Sequence, residues 1–226
     1  LKCIGILILS DVIRQDAKTT LDYFKRQDVD IKIISGDDPV TVSAIARRCH
    51  LLNYEHYIDV SSLSDEQIKE AIEKYTIFGR VSPKQKQLMV NALQENNHTV
   101  AMTGDGVNDV LALKAADCSI AMASGSDAAK SASHIVLLKN NFNAMPHIVN
   151  EGRRVINNIT ASASMYLIKT IFSVVLSIGM ILFGHGYPFK PIQLTVISAC
   201  CVGIPTFFLT YEPNFKRVSG DFLKTV

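Results

Sequence analysis

The sequence is nearly without charge bias: 23 lysines and arginines stand against 21 acids, a net +2. That balance lacks the basic footprint nucleic-acid binding needs. Cysteine is scarce and irregular. The five, Cys3, Cys49, Cys118, Cys200 and Cys201, are odd in number and follow no framework spacing. They exclude a disulfide-built scaffold and fit buried free thiols in a reducing compartment. No cleavable signal opens the chain, and no methionine does either. The first residues already read as a strand, so the chain is expected to be a piece of a longer protein. Apolar length is plentiful but unevenly placed. Residues up to about Asn150 mix polar and apolar types, and those beyond are strongly apolar. Two parts are expected, 1–150 and 151–226.

The first part is organised around His98–Lys114, HTVAMTGDGVNDVLALK. Val100 to Met102 reads as a buried strand, and Val110-Leu111-Ala112-Leu113 opens a helix pattern. Between them lies Gly104-Asp105-Gly106-Val107-Asn108-Asp109. A strand entering a Gly-rich turn ahead of a helix start points backbone N–H groups at an anion. Asp105 and Asp109 bring two hard oxygen donors to the same turn, which suits magnesium bound to a phosphate. A mere helix cap would use one such residue, not Asp, Asn and Asp packed between glycines.

In chain order, Cys3–Leu9 is an almost unbroken apolar run that fits a strand buried on both faces. Asp16–Lys25 has helical spacing. Ile31–Ile34 reads as a strand ending in Ser35-Gly36-Asp37-Asp38, and Pro39–Arg48 as a helix with an acid before it and proline in its first turn. Strands are expected at Tyr57–Val60, Thr76–Phe78, Ser119–Met122 and Ile135–Leu138. Helices are expected at about Ser64–Lys74, Pro83–Gln94 and from Ser126. Alternating strands and helices imply an α/β fold, a Rossmann-like parallel sheet covered on both faces. Ligands bind such sheets beyond the carboxyl ends of the strands, where Ser35, Asp37, Asp105 and Asp109 all fall. Gly79-Arg80-Val81-Ser82-Pro83-Lys84-Gln85-Lys86 also follows a strand and opens a helix, and offers Arg80 and Lys86 to the same edge. A fixed lysine beside magnesium neutralises a phosphoryl group in transfer.

This order of Ser-Gly-Asp, then lysine, then the two-acid loop resembles the haloacid dehalogenase superfamily and, within it, the P-type ATPases. Thr103-Gly104-Asp105-Gly106-Val107-Asn108-Asp109 is that family's signature letter for letter. Ser35-Gly36-Asp37 stands where the family usually has Thr-Gly-Asp and keeps the hydroxyl. Arg80 to Lys86 matches its Arg-x-x-Pro-x-x-Lys segment, and Asp11-Val12-Ile13-Arg14 keeps only the outer letters of its Asp-Pro-Pro-Arg. The likeness continues through Ala115-Ala116-Asp117 and Lys130-Ser131-Ala132-Ser133 to Glu151-Gly152-Arg153. It implies that Asp105 coordinates a catalytic Mg2+, with Asp109 as the second metal-site acid and Asn108 supporting the loop. Lys86 would stabilise an aspartyl phosphate, and Ser35 would bond a phosphoryl oxygen. Ser35, Gly36, Asp37 and Arg80 would place ATP as substrate. The family's nucleophile, the aspartate of Asp-Lys-Thr-Gly-Thr, is nowhere in these residues, so the chain by itself is expected to be inactive.

The second part reads as an α-helical transmembrane hairpin. Ile159–Phe183 and Pro191–Tyr211 are long apolar runs joined by Gly184-His185-Gly186-Tyr187-Pro188-Phe189-Lys190, and about 20 helical residues cross the hydrocarbon. Arg153, Arg154, Lys216 and Arg217 flank the spans against Lys190 alone in the turn. The positive-inside bias therefore puts both ends, and the ATP chemistry, in the cytoplasm. Lys169 lies inside the first span, where an ionisable group is costly and usually functional, or else snorkels toward the surface. In the second, Gly203-Ile204-Pro205 should break the helix, because Pro205 offers no N–H to the Cys201 carbonyl, and unwound carbonyls hold ions in transporters. The resemblance puts Val202 where the calcium-pump branch has its ion-binding aspartate, with Cys201 and Ser198 at other ligand positions. Cys200-Cys201 also suits a soft metal, but adjacent cysteines in a bilayer usually pack.

The expectation is therefore a fragment of a multi-pass, plasma-membrane cation pump carrying calcium or another divalent cation. Its transport path would include Lys169, Ser198, Cys201 and Pro205. Actuator and nucleotide-binding domains and further spans would belong to the rest of the polypeptide. The alternatives are a membrane-tethered phosphatase of the same superfamily and a non-catalytic phosphate-binding scaffold.

Overall fold

The computed structural model describes residues 15–138 and 141–218. The strand expected at Cys3–Leu9 and the Asp11–Arg14 segment lie outside the described residues. The chain divides into two compact units, Leu1–Pro146 and His147–Val226.

In the first unit strands and helices alternate: α1 Gln15–Arg26, β1 Ile33–Ile34, α2 Pro39–Arg48, β2 Tyr57–Asp59, α3 Asp65–Lys74, β3 Ile77–Gly79 and α4 Pro83–Glu95. Then come β4 Ala101–Gly104, a 3-10 turn at Val107–Asp109, α5 Val110–Ala115, β5 Cys118–Met122, α6 Asp127–Ala132 and β6 Ile135–Leu137. Among the described residues all strand pairings are parallel, in the orders β1-β3-β2 and β4-β5-β6. Local chemistry sets the helix starts. The Asp38 carboxylate accepts from the Val40 N–H at 3.0 Å, and Pro39 fills the first helical position. Ser64 with Gln67 and Ser82 with Gln85 form reciprocal capping boxes at α3 and α4, each satisfying two N–H groups the helix leaves unpaired.

Central β3 shows why the sheet is covered on both faces. Successive strand residues point to opposite sides. Ile77 accordingly packs with Val42 and Ala46 of α2, while Phe78 packs with Ile68 and Ile72 of α3 and Met89 of α4. Both are completely buried.

The expectation of a buried strand at Val100–Met102 is corrected. In β4, Ala101 and Thr103 are exposed and Met102 and Gly104 half-buried. Among the described residues β4 is an edge strand with β5 as its one neighbour. The interior position belongs to β5, buried from Ser119 to Met122.

The second unit contains most of α7, a single 39-residue helix over Ala144–Leu182 that begins well before the expected span at Ile159. At 1.5 Å per residue it is about 58 Å long, roughly twice the hydrocarbon thickness. Its polar first third therefore carries Arg153 and Arg154 as helical residues. After the turn come α8 Pro191–Ser198, a π-helical turn at Ala199–Gly203 and α9 Ile204–Leu209. Among the described residues two helical stretches are long and apolar enough to cross a membrane, Ala144–Leu182 and Pro191–Leu209. The predicted break at Pro205 is also corrected. The helix continues, because the π turn moves the bonding one residue along: the Ile204 N–H donates to the Ala199 carbonyl. The Thr206 hydroxyl then donates to the carbonyls of Val202 at 2.7 Å and Gly203 at 3.0 Å. One inserted residue absorbs the proline without unwinding the helix.

The end of this hairpin is tied by side chains of α7. Asn157 Nδ2 donates to the carbonyls of Asn214 (3.1 Å) and Lys216 (2.9 Å). Asn158 Nδ2 reaches the Glu212 carbonyl at 3.0 Å, and Arg154 Nη1 the Thr210 carbonyl at 3.0 Å. Arg154 is held in turn by the Glu151 carboxylate.

Candidate active site

The loop leaving β4 folds back on itself through a buried ion pair. Asp109 is 8% exposed. Its Oδ2 accepts from the Gly106 N–H at 3.2 Å, and its Oδ1 takes Lys86 Nζ at 2.6 Å. Both side chains keep 12% of their surface in solvent. Lys86 comes from the first turn of α4, so the Ser82–Gln85 capping box and Pro83 fix the base from which it reaches across. Gly104 is required here by close approach: a Cβ on it would lie 2.7 Å from the Asp109 Cβ and 2.9 Å from its Oδ2. Asp105 and Asn108 point outward and are exposed. No hydrogen bond or ion pair to another described residue occupies the Asp105 carboxylate.

A second group collects at the ends of β1, β2 and β3. The Ser35 hydroxyl donates to Asp37 Oδ2 at 3.1 Å and accepts from the Asp37 N–H at 3.1 Å. Arg80 sits in the left-handed region at φ 55°, tethered by its N–H to the Asp37 carbonyl at 2.8 Å. Its guanidinium spans Asp38 Oδ2 at 2.9 Å and Asp59 Oδ2 at 3.2 Å. Hydroxyl and backbone N–H bonds from Ser61, with Arg80 behind them, hold the Asp59 carboxyl below its ordinary 3.8. The space beside Gly36 is open, with nothing within 4 Å of where a Cβ would stand.

The site residues read from the sequence thus fall into two sets, Ser35-Gly36-Asp37-Arg80 and Lys86-Asp105-Asn108-Asp109. Among the described residues no direct hydrogen bond or ion pair joins them. Arg80 and Lys86 flank the start of α4, which links the two. Sequence reasoning missed Asp59 and half of the role of Asp38. Asp38 is the acid that precedes α2, and only its Oδ1 caps that helix, leaving Oδ2 for Arg80. Asp59 ends a parallel strand, and the strand-end rule that found the other acids would have found it too.

Among the described residues no three His, Cys, Asp or Glu side chains gather into a metal cage. Magnesium does not need one, since it keeps waters and takes one or two carboxylates beside phosphate oxygens. The exposed, unengaged Asp105 carboxylate fits that habit. The oxygens of Asp109 are both engaged, one by Lys86 and one by Gly106.

In the hairpin, Lys169 is half-buried, and its carbonyl accepts from the Ser173 hydroxyl at 3.0 Å. Ser198 is half-buried and donates to the Leu194 carbonyl at 2.6 Å. Cys201 is exposed, Pro205 half-buried, and Val202 only 4% exposed.

A family described as haloacid dehalogenase-like hydrolase matches residues 2–117, just over half of the chain. The chain belongs to the haloacid dehalogenase-like hydrolases. Over 99% of its length this family member is 47% identical to the probable cation-transporting ATPase exp7 of Streptococcus pneumoniae. It is 44% identical, again over 99%, to the calcium-transporting ATPase CtpE of Mycobacterium tuberculosis. The chain spans about 30% of the length of those relatives. A solved zinc-transporting PIB-type ATPase in its E2.Pi state shares the fold, with a TM-score of 0.65 and 24% identity over 88% of this chain and 27% of that one.

Proposed function

We propose that this chain is the magnesium- and phosphate-handling part, with one membrane hairpin, of an ATP-driven cation pump that works through an aspartyl phosphate. The observation that carries the reading is the buried Lys86–Asp109 pair set beside the open Asp105 carboxylate. A charge as costly to bury as Lys86 is useful where an anionic phosphoryl group arrives. Similarity to transport ATPases along nearly the whole chain, hairpin included, favours a pump over a tethered phosphatase or a scaffold.

In this mechanism Asp105 would hold Mg2+, which when bound would screen phosphate charge and polarise the phosphoryl group. Lys86 donates to a phosphoryl oxygen, and Asp109 holds the lysine at the right height. Asn108 stays with the exposed loop. Ser35 gives a hydroxyl to a phosphoryl oxygen, while Gly36, Asp37 and Arg80 receive the nucleotide of ATP. The phosphorylated aspartate is contributed from outside these residues, since the sequence holds no Asp-Lys-Thr-Gly-Thr. The 226 residues alone therefore form no phosphoenzyme. The hairpin sits among further spans of a multi-pass plasma-membrane protein, its flanking cations on the cytoplasmic side. Lys169, Ser198, Cys201 and Pro205 line its cation path. Calcium is the first ion to test, because relatives are described as calcium-transporting.

The test is ion transport by the full-length protein in sealed liposomes. ATP should drive calcium or another divalent cation across the membrane, and Asp105→Asn should cut the rate at least about a hundredfold. ATP hydrolysis indifferent to every cation tried would overturn the reading.

A further inference from the structure

Asp105 lies between the end of β4 and the 3-10 turn, and no partner among the described residues holds its carboxylate. The direction of that carboxylate is therefore set by its backbone. One hydrogen bond tethers the backbone from outside the loop: the Ser126 N–H donates to the Asp105 carbonyl at 2.8 Å. Ser126 is itself well fixed. It is the N-cap of α6, its hydroxyl accepting from the Ala129 N–H at 3.1 Å. The turn before it is closed by the Gly125 N–H on the Met122 carbonyl at 2.9 Å, and anchored to β6 by the Ala123 N–H on the Leu137 carbonyl at 3.1 Å.

Gly125 is pressed against the same peptide. A Cβ there would stand 2.8 Å from the Asp105 carbonyl oxygen, 3.0 Å from the Asp105 Cα and 3.0 Å from the Met122 carbonyl oxygen. All three are backbone atoms, so no flexible side-chain end can yield. A side chain at 125 has to push Asp105 away or break the Ser126 bond.

We propose that Gly125 and the Ser126 N–H are positioning groups for the magnesium site, setting where the Asp105 carboxylate stands without touching the metal themselves. The inference rests on the reading of Asp105 as a magnesium ligand. It adds the Ala123–Ser126 turn, from a different strand and helix, as the outer support of that ligand. Loss of such support typically weakens metal binding tenfold to a hundredfold.

The φ of −63° and ψ of 149° at Ser126 suit proline, and Ser126→Pro removes the donor while setting its ring Cδ against the Asp105 carbonyl oxygen that the N–H bonded. Ser126→Ala deletes only the hydroxyl cap. The full-length protein is titrated with Mn2+ in place of Mg2+, free Mn2+ is counted by electron paramagnetic resonance, and melting is measured in EDTA. Asp105→Asn identifies the site as the one it abolishes. Ser126→Ala should keep that site's affinity within about twofold, whereas Ser126→Pro and Gly125→Ala should weaken it about tenfold or more. Ser126→Pro and Gly125→Ala should still melt as folded proteins in EDTA. A site lost in Asp105→Asn but intact in both Ser126→Pro and Gly125→Ala overturns the positioning role and leaves the magnesium reading standing. A full count of Mn2+ sites in Asp105→Asn overturns both. If Ser126→Pro does not fold, Gly125→Ala decides the matter by the same comparison.

Discussion

Lys86 and Asp109 hold opposite charges 2.6 Å apart in a pocket that leaves each 12% exposed. At that burial the pair resists separation far more than a surface bridge does. Truncating the lysine leaves a carboxylate with one N–H for company. Lys86→Met should destabilise the fold by about 3–5 kcal/mol, measured by urea denaturation of the full-length protein. A loss within about 0.5 kcal/mol would mean that the pair is solvated. The surface pairs of Arg80 with Asp38 and Asp59, each side chain at least 38% exposed, have no comparable hold. At this scale the sequence marked residue types at the strand ends, such as Ser35 and Asp105, and Lys86 at the start of a helix, as candidates. It was silent on partners. Nothing in the letters says that Lys86 leans on Asp109, or that Arg80 is forked between two carboxylates, because those pairings come from chain folding over dozens of residues.

Elements whose ends carry their own chemistry were legible almost to the residue. The proline-led α2 and α4 and the Ser64 cap are examples, since capping is local. Strand burial was not. Val100–Met102 is as apolar as a core strand, but among the described residues nothing covers the face that carries Ala101 and Thr103, which stand in solvent, and neighbours decide that. Pro205 misled in the other direction. A proline forbids one hydrogen bond but does not say how the helix will adjust, and here the π turn at Ala199–Gly203 does so. The hairpin's tie was invisible for the same reason as the ion pairs. Asn157 and Asn158 look like ordinary polar residues ahead of a span, yet they take up carbonyls of the chain after α9 that no helix N–H can reach. Replacing both with alanine should destabilise the hairpin end by about 1–3 kcal/mol. The readout is faster tryptic cleavage at Lys216 and Arg217 in membranes, and an unchanged digestion rate would contradict the tie.

For the whole molecule, the pattern of alternating strands and helices followed by two apolar runs gave the architecture, because layer packing and bilayer thickness leave few alternatives. The two-acid loop carried the resemblance to the haloacid dehalogenase-like hydrolases, and the family match over residues 2–117 shows the membership. The ion that the proposed pump would carry was not legible. Val202, the most deeply buried residue of the second span, has no side chain able to bind one. The most direct measurement is acyl-phosphate formation by the full-length protein from radiolabelled ATP. The predicted result is a magnesium-dependent, hydroxylamine-labile label whose rate of formation falls at least about a hundredfold in Lys86→Met and in Asp105→Asn. A label formed at the same rate in both variants, or none in the wild type with magnesium and every cation supplied, would contradict the assignment of this site to phosphoryl transfer.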